Sequence, residues 1–180
     1  TIKRKAVHIL VTGATGFIGH HVIHTLLDRG HQVSIVTRNT LRAQELSWSK
    51  NVHTYVCDLH QAIDDAYNFF DKPDAVMHLA WSGLPHYTDQ FHITENLPAN
   101  RRFLQSLIEG GLQHLLVSGT CYEYGLQSGC LTEETPARPI NPYGQAKNLL
   151  REALEQLAND DTPLGISWRD SLPWMVTCAF

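Results

Sequence analysis

Tyr143 and Lys147 stand four residues apart in Tyr143-Gly144-Gln145-Ala146-Lys147. On a helix, positions i and i+4 share a face, so a phenol and an ammonium at this spacing can serve one site. A tyrosine hydroxyl with its ordinary pKa of about 10 is a poor base at neutral pH. A nearby ammonium favours the phenolate and lowers that pKa. The pair therefore suits proton transfer to or from an oxygen. Alone, the spacing is frequent by chance and describes a surface pair. What precedes it in the chain gives it weight.

Far upstream, Val11-Thr12-Gly13-Ala14-Thr15-Gly16-Phe17-Ile18-Gly19 follows an apolar run and opens a helical pattern. Gly13 suits a tight turn. Gly16 lets backbone approach a pyrophosphate, and Gly19 lets a helix pack closely on a strand. The backbone N–H groups of this loop and the positive helix end then favour an anion. A plain strand-turn-helix corner would not need three glycines at this spacing. The loop predicts a dinucleotide site, with Gly13, Thr15, Gly16, Phe17, Ile18 and Gly19 in contact with the cofactor.

The elements that position these groups alternate along the chain. Strands are predicted at 6–12, 31–37, 52–57, 75–80, 112–118 and 164–168. Helices are predicted at 17–29, 41–48, 62–70, 91–109 and 143–158, with Gly30 and Gly110-Gly111 as stops and Pro98 as a kink. A longer irregular stretch joins the fifth strand to Pro142. The β-α alternation implies a parallel sheet covered on both faces, the doubly wound α/β fold of Rossmann type. No internal repeat or low-complexity segment interrupts it.

Composition agrees with a single packed domain. The 180 residues are 43% hydrophobic and 18% charged, which allows a solid core. A net charge of −4 and a pI near 6.2 argue against nucleic acid or anionic membrane as partners. Lys3, Arg4 and Lys5 read as a solvated tail. No stretch is long and apolar enough to span a bilayer, and no signal-peptide pattern is present. The four cysteines lack CxxC spacing, so neither a zinc site nor a redox dithiol is expected. The 11 histidines are scattered, and most of them read as surface or half-buried residues without a metal role. These features point to a reducing, cytoplasmic setting.

The GxxGxxG spacing, together with YxxxK, resembles the extended short-chain dehydrogenase/reductase superfamily, specifically its NAD-dependent epimerase/dehydratase branch. The likeness runs from about residue 7 to 167. Val117-Ser118-Gly119-Thr120-Cys121-Tyr122-Glu123-Tyr124-Gly125 resembles that family's SS[ST]xxxYG segment. The resemblance implies that Thr120 polarises a substrate oxygen while Tyr143 acts as acid/base. Lys147 would lower the Tyr143 pKa and hold the nicotinamide ribose, and the positive oxidised ring would add to the lowering. Asp58 and Leu59 would contact the adenine. Leu79, Ala80 and Trp81 belong to an HLAA-like segment beside the cofactor, where Trp81 replaces a small residue and would shape the substrate mouth. Asn96 matches a structural asparagine on the long helix.

The second strand ends in Val36-Thr37-Arg38-Asn39 with no carboxylate for a ribose. Arg38 is placed to meet a 2′-phosphate and Thr37 leaves room for it, which favours NADP over NAD. Cys121 and Tyr122 occupy positions where sugar dehydratases of the family carry an acid pair or a Ser/Glu pair, so dehydration is disfavoured. The expected function is an NAD(P)-dependent nucleotide-sugar epimerase or keto-sugar reductase. The alternative is a non-catalytic dinucleotide-binding module or an inactive truncated enzyme. A homodimer through helices 91–109 and 143–158 is implied. Residues 1–168 form the NAD(P)-binding domain. Residues 169–180 depart from the family pattern and read as a truncated, frame-shifted tail, with most of the substrate region missing.

Overall fold

Six short apolar segments pair side by side, all in parallel. They are β1 His8–Thr12, β2 Gln32–Thr37, β3 His53–Val56, β4 Ala75–His78, β5 His114–Ser118 and β6 Gly165–Arg169. Their order across the sheet is β3-β2-β1-β4-β5-β6. The order reverses between β1 and β4, which places a crevice outside their carboxyl ends. In a computed structural model of the protein, residues 6–132, 134–159 and 164–169 are described. The proposed atypical tail lies outside them from residue 170 onward.

Helices cover both faces because the strands are apolar on both faces. On one side, α1 Phe17–Asp28 and α2 Thr40–Gln44 cover a cluster of Ile9, Val11, Ile23, Val33, Ile35 and Trp48. On the other, α3 Ala66–Phe69, α4 Leu97–Glu109 and α5 Pro142–Asn159 cover Leu10, Phe70, Val76, Phe103, Leu104, Leu115, Leu150 and Leu154. The helix α1 ends as expected: Gly30 takes φ +78°, and its N–H donates to the Leu27 carbonyl at 2.9 Å.

Three helices differ from expectation. The predicted helix 41–48 stops at Gln44 and a 3-10 turn follows at Ser49–Asn51. Trp48 is 2% exposed, and its indole N–H bonds His20 Nδ1 at 3.1 Å, so the chain turns inward before another helical turn forms. The predicted helix 62–70 is the single turn α3, started by Asp65, whose carboxylate accepts from Asn68 N–H. The predicted helix 91–109 is two pieces, a π-helical turn His92–Asn96 followed by α4. Pro98 sits in the first turn of α4, where its missing N–H costs nothing, and the wide turn precedes it. Among the described residues, no helix is long and apolar enough to cross a membrane.

Candidate dinucleotide site and catalytic set

A cleft of about 540 Å³ opens at the carboxyl ends of β1, β2 and β4. Gly13, Thr15 and Gly16 form one wall; Thr37, Arg38, Asn39 and Arg42 form a second; Asp58, Leu59, Leu79, Ala80 and Trp81 complete it. Gly13 has φ +73°, and a Cβ there would lie 2.7 Å from Ala80 N. Both facts demand glycine. A Cβ on Gly19 would lie 2.2 Å from the Gly13 carbonyl, so α1 packs on the loop as closely as the spacing predicts. A Cβ on Gly16 would meet only the Gly13 carbonyl, at 3.2 Å. Gly16 is the N-cap of α1, with no side-chain cap and no acidic residue in the first turn. That helix end suits an anion from outside the chain, so the cradle fits a dinucleotide pyrophosphate.

A buried polar chain crosses the crevice floor. Thr12 Oγ1 lies 2.9 Å from His78 Nδ1, His78 Nε2 lies 2.7 Å from Asn100 Oδ1, and Asn100 Nδ2 donates to the Asn96 carbonyl at 2.7 Å. Thr12 also accepts the Ala80 N–H at 3.3 Å, fixing the backbone beside the cleft. Burial, then the Lys147 charge, push the His78 imidazole down to about 3, against an opposing hydrogen bond with Asn100. His78 is therefore neutral. With His92, also fully buried, it is an exception to the surface or half-buried placement expected of most histidines.

Thr120, Tyr143 and Lys147 meet at the carboxyl end of β5. All three are buried, and Thr120 is hydrogen-bonded to the Tyr143 side chain. Thr120 caps the 3-10 turn Cys121–Glu123, while Glu123 Oε1 accepts the Thr120 N–H at 2.8 Å. Glu123 is 2% exposed and also lies 3.9 Å from Arg151, so its carboxylate faces the scaffold. Lys147 Nζ donates to the Ser118 carbonyl and stands 4.6 Å from the centroid of Trp81. Trp81, Tyr87, His92 and Tyr122 surround the Tyr143 ring at centroid distances of 5.3–5.9 Å.

The chain matches the sequence profile of the NAD dependent epimerase/dehydratase family over residues 9–166. It belongs to that family. It is 32% identical to dTDP-6-deoxy-L-talose 4-dehydrogenase (NAD(+)) of Aggregatibacter actinomycetemcomitans, covering 89% of this chain and 59% of the relative. It is 34% identical to UDP-arabinose 4-epimerase 1 of Arabidopsis thaliana, covering 82% and 38%. The UDP-Glc/GlcNAc 4-epimerase of Campylobacter jejuni shares the fold, with TM-score 0.82 at 20% identity over 97% of this chain and 58% of that one. MoeE5, solved with UDP-glucuronic acid and NAD, gives TM-score 0.74 at 26% identity, covering 89% and 53%. The chain spans about half the length of the curated relatives it matches.

Within this epimerase/dehydratase-family domain, ten of the expected cofactor contacts line the cleft: Gly13, Thr15, Gly16, Thr37, Arg38, Asp58, Leu59, Leu79, Ala80 and Trp81. Phe17 and Ile18 open α1 instead, and Phe17 is 70% exposed. Asp58 does not cap α3. It accepts the His60 N–H at 3.0 Å and lies 4.0 Å from Arg38. The Thr37 hydroxyl is committed to the backbone of Asn39. Asn96 lies in the π turn, donating to the Ser82 carbonyl at 2.9 Å. Arg42 and Asn100 were missed by sequence reasoning. Arg42 sits four residues beyond Arg38, in the last turn of the short helix that Asn39 caps.

The chain's own groups act on the Tyr143 phenol in opposite directions. Burial pushes the phenol up to about 12, although the hydrogen bond with Thr120 pulls it down and the Glu123 charge adds to the rise. Desolvation outweighs the hydrogen bond because the aromatic rings exclude water from the phenol.

Proposed function

We propose that this chain provides the dinucleotide-binding and proton-transfer part of an NAD(P)-dependent enzyme acting on a nucleotide sugar, as an epimerase or a keto-sugar reductase. The convergence of Thr120, Tyr143 and Lys147 beside the glycine-lined cleft carries this reading. A bound nicotinamide dinucleotide supplies the hydride acceptor or donor. The backbone of Gly13, Thr15 and Gly16 cradles the pyrophosphate, Asp58 and Leu59 meet the adenine, and Lys147 holds the nicotinamide ribose. Thr120 hydrogen-bonds the reacting sugar oxygen and polarises it. Tyr143 moves the proton at that oxygen.

A phenol held up to about 12 is protonated at neutral pH. Working as a base would require added positive charge near the phenol. Dehydration is disfavoured, because Cys121 and Tyr122 offer no carboxyl group and Glu123 is bonded to Thr120 N–H.

Arg38 and Arg42 line the ribose end of the cleft with no carboxylate at the end of β2. That arrangement favours NADP. The A. actinomycetemcomitans relative is named for NAD(+), so the preference is a property to measure. The second reading is a non-catalytic dinucleotide-binding module, since the cleft lined by Gly13, Gly16 and Arg38 includes none of Thr120, Tyr143 and Lys147 in its lining. Incubation with NADPH or NADH and a panel of nucleotide 4-keto sugars separates the two. Cofactor oxidation that disappears in Tyr143→Phe supports the enzyme, whereas cofactor binding without reduction of any panel member supports the module.

A further inference from the structure

We propose that His92 is a positioning residue for the Tyr143/Lys147 pair, acting through the indole of Trp81. The proposal rests on the reading above of Tyr143 and Lys147 as the reacting pair.

The hydrogen-bond chemistry around His92 leaves one arrangement. An indole N–H can only donate, and that of Trp81 points at His92 Nδ1 from 3.0 Å. Asn96 Nδ2 donates to the same nitrogen at 3.1 Å. The other ring nitrogen, Nε2, lies 2.9 Å from the His86 carbonyl, which can only accept. His92 therefore carries its proton on Nε2 and presents a lone pair to Trp81. It is fully buried in this state, and its ring lies within 23° of the Trp81 plane with 6.2 Å between centroids, the near-coplanar arrangement that an in-plane N–H···N bond requires.

What this fixes is the face of Trp81. That face stands 4.6 Å from Lys147 Nζ, an attractive geometry for an ammonium over an aromatic ring. The Ser118 carbonyl holds the same Nζ. Tyr143 touches both Trp81 and His92 through its ring, at 5.9 and 5.3 Å. The loop after β4, the π turn and α5 thus meet at one point, and the His92 lone pair sets the angle of the ring between them. Simple core packing would need only an aromatic ring at position 92. The positioning role needs an acceptor there.

Two substitutions separate these. His92→Phe keeps the ring and loses the acceptor, whereas His92→Gln keeps an acceptor. The readouts are the Trp81 indole N–H resonance in nitrogen-labelled protein, assigned with Trp81→Phe, and the affinity for NADH by calorimetry. In His92→Phe the resonance should shift upfield and exchange faster, and NADH binding should weaken about tenfold, the scale of a misplaced contact group. His92→Gln should restore both to within about twofold of the unsubstituted chain. An unchanged resonance in His92→Phe, a shifted resonance with unchanged NADH affinity, or a Gln variant as weak as the Phe variant would each overturn the proposal. Failure of the unsubstituted chain to bind NADH would instead contradict the dinucleotide reading, while the resonance would still decide the Trp81 anchor.

Discussion

Thr12 Oγ1 and His78 Nδ1 lie 2.9 Å apart across the neighbouring strands β1 and β4, with neither side chain exposed to solvent. They face each other because Thr12 and His78 are register partners at the point where strand order reverses. The same hydroxyl accepts the Ala80 N–H, so one buried bond ties the sheet to the cleft wall.

The burial of His78 makes stability depend on pH. The native His78 imidazole is held down to about 3, whereas in the unfolded chain it titrates near 6.5. Between these values the unfolded state binds the extra proton. Stability is therefore intact above about pH 6.5 and falls as pH drops towards 3, by about 1.4 kcal/mol per unit from this group. Urea unfolding from pH 7 to pH 4 should show a slope shallower by about one proton in His78→Gln than in the unsubstituted chain. Equal slopes would contradict a neutral buried His78.

Two of the loop glycines, Gly16 and Gly19, should separate folding from binding. Gly19→Ala drives a Cβ to 2.2 Å from a backbone carbonyl and should cost about 3 kcal/mol. Gly16→Ala meets one atom at 3.2 Å, so it should fold with a loss under about 1 kcal/mol. The added methyl would stand in the approach of the pyrophosphate and weaken NADH binding at least about tenfold. Thermal unfolding combined with a binding titration checks both. Equal binding by Gly16→Ala and the unsubstituted chain would remove Gly16 from the phosphate site.

Arg38 and Arg42 should act on the 2′-phosphate and on little else. Arg38 is well exposed, and its pairing with Asp58 at 4.0 Å contributes little. Replacing both arginines with alanine should weaken NADPH binding about tenfold to a hundredfold and change NADH binding less than about threefold. Parallel calorimetric titrations read the ratio, and an equal loss for both cofactors would contradict the assignment.

Glu123 offers a check on the scaffold reading. Glu123→Ala removes the acceptor for Thr120 N–H and the partner of Arg151, and should destabilise the chain by about 2 kcal/mol. Glu123→Gln keeps an acceptor and should retain most of that stability. In an active preparation it should also retain most turnover. Loss of turnover in a stable Glu123→Gln protein would give this carboxylate a chemical role.

Much of this was legible in the sequence for a physical reason. Apolar β-branched runs such as Gln32–Thr37 and glycines at forced positions such as Gly13 and Gly30 report local requirements, which a single segment expresses. The cleft-lining residues at strand ends follow from those elements. Arrangements set by contact between distant segments were less legible. The burial of Trp48 shortened α2, and Pro98 divided the long helix into a π turn and α4. His78 and His92 read as ordinary histidines because their partners lie on other elements. The surroundings of Tyr143 were only half legible: Lys147 is visible in the motif, while the rings of Trp81, Tyr87 and Tyr122 around the phenol come from elsewhere.

The central claim is that the cleft between Gly13 and Arg38 holds a nicotinamide dinucleotide beside Tyr143 and Lys147. Calorimetric titration of the purified chain with NADPH and with NADH tests it most directly. The account predicts saturable binding of one dinucleotide per chain, tighter for NADPH and weakened by Gly16→Ala. No binding of either cofactor by the folded chain would contradict it.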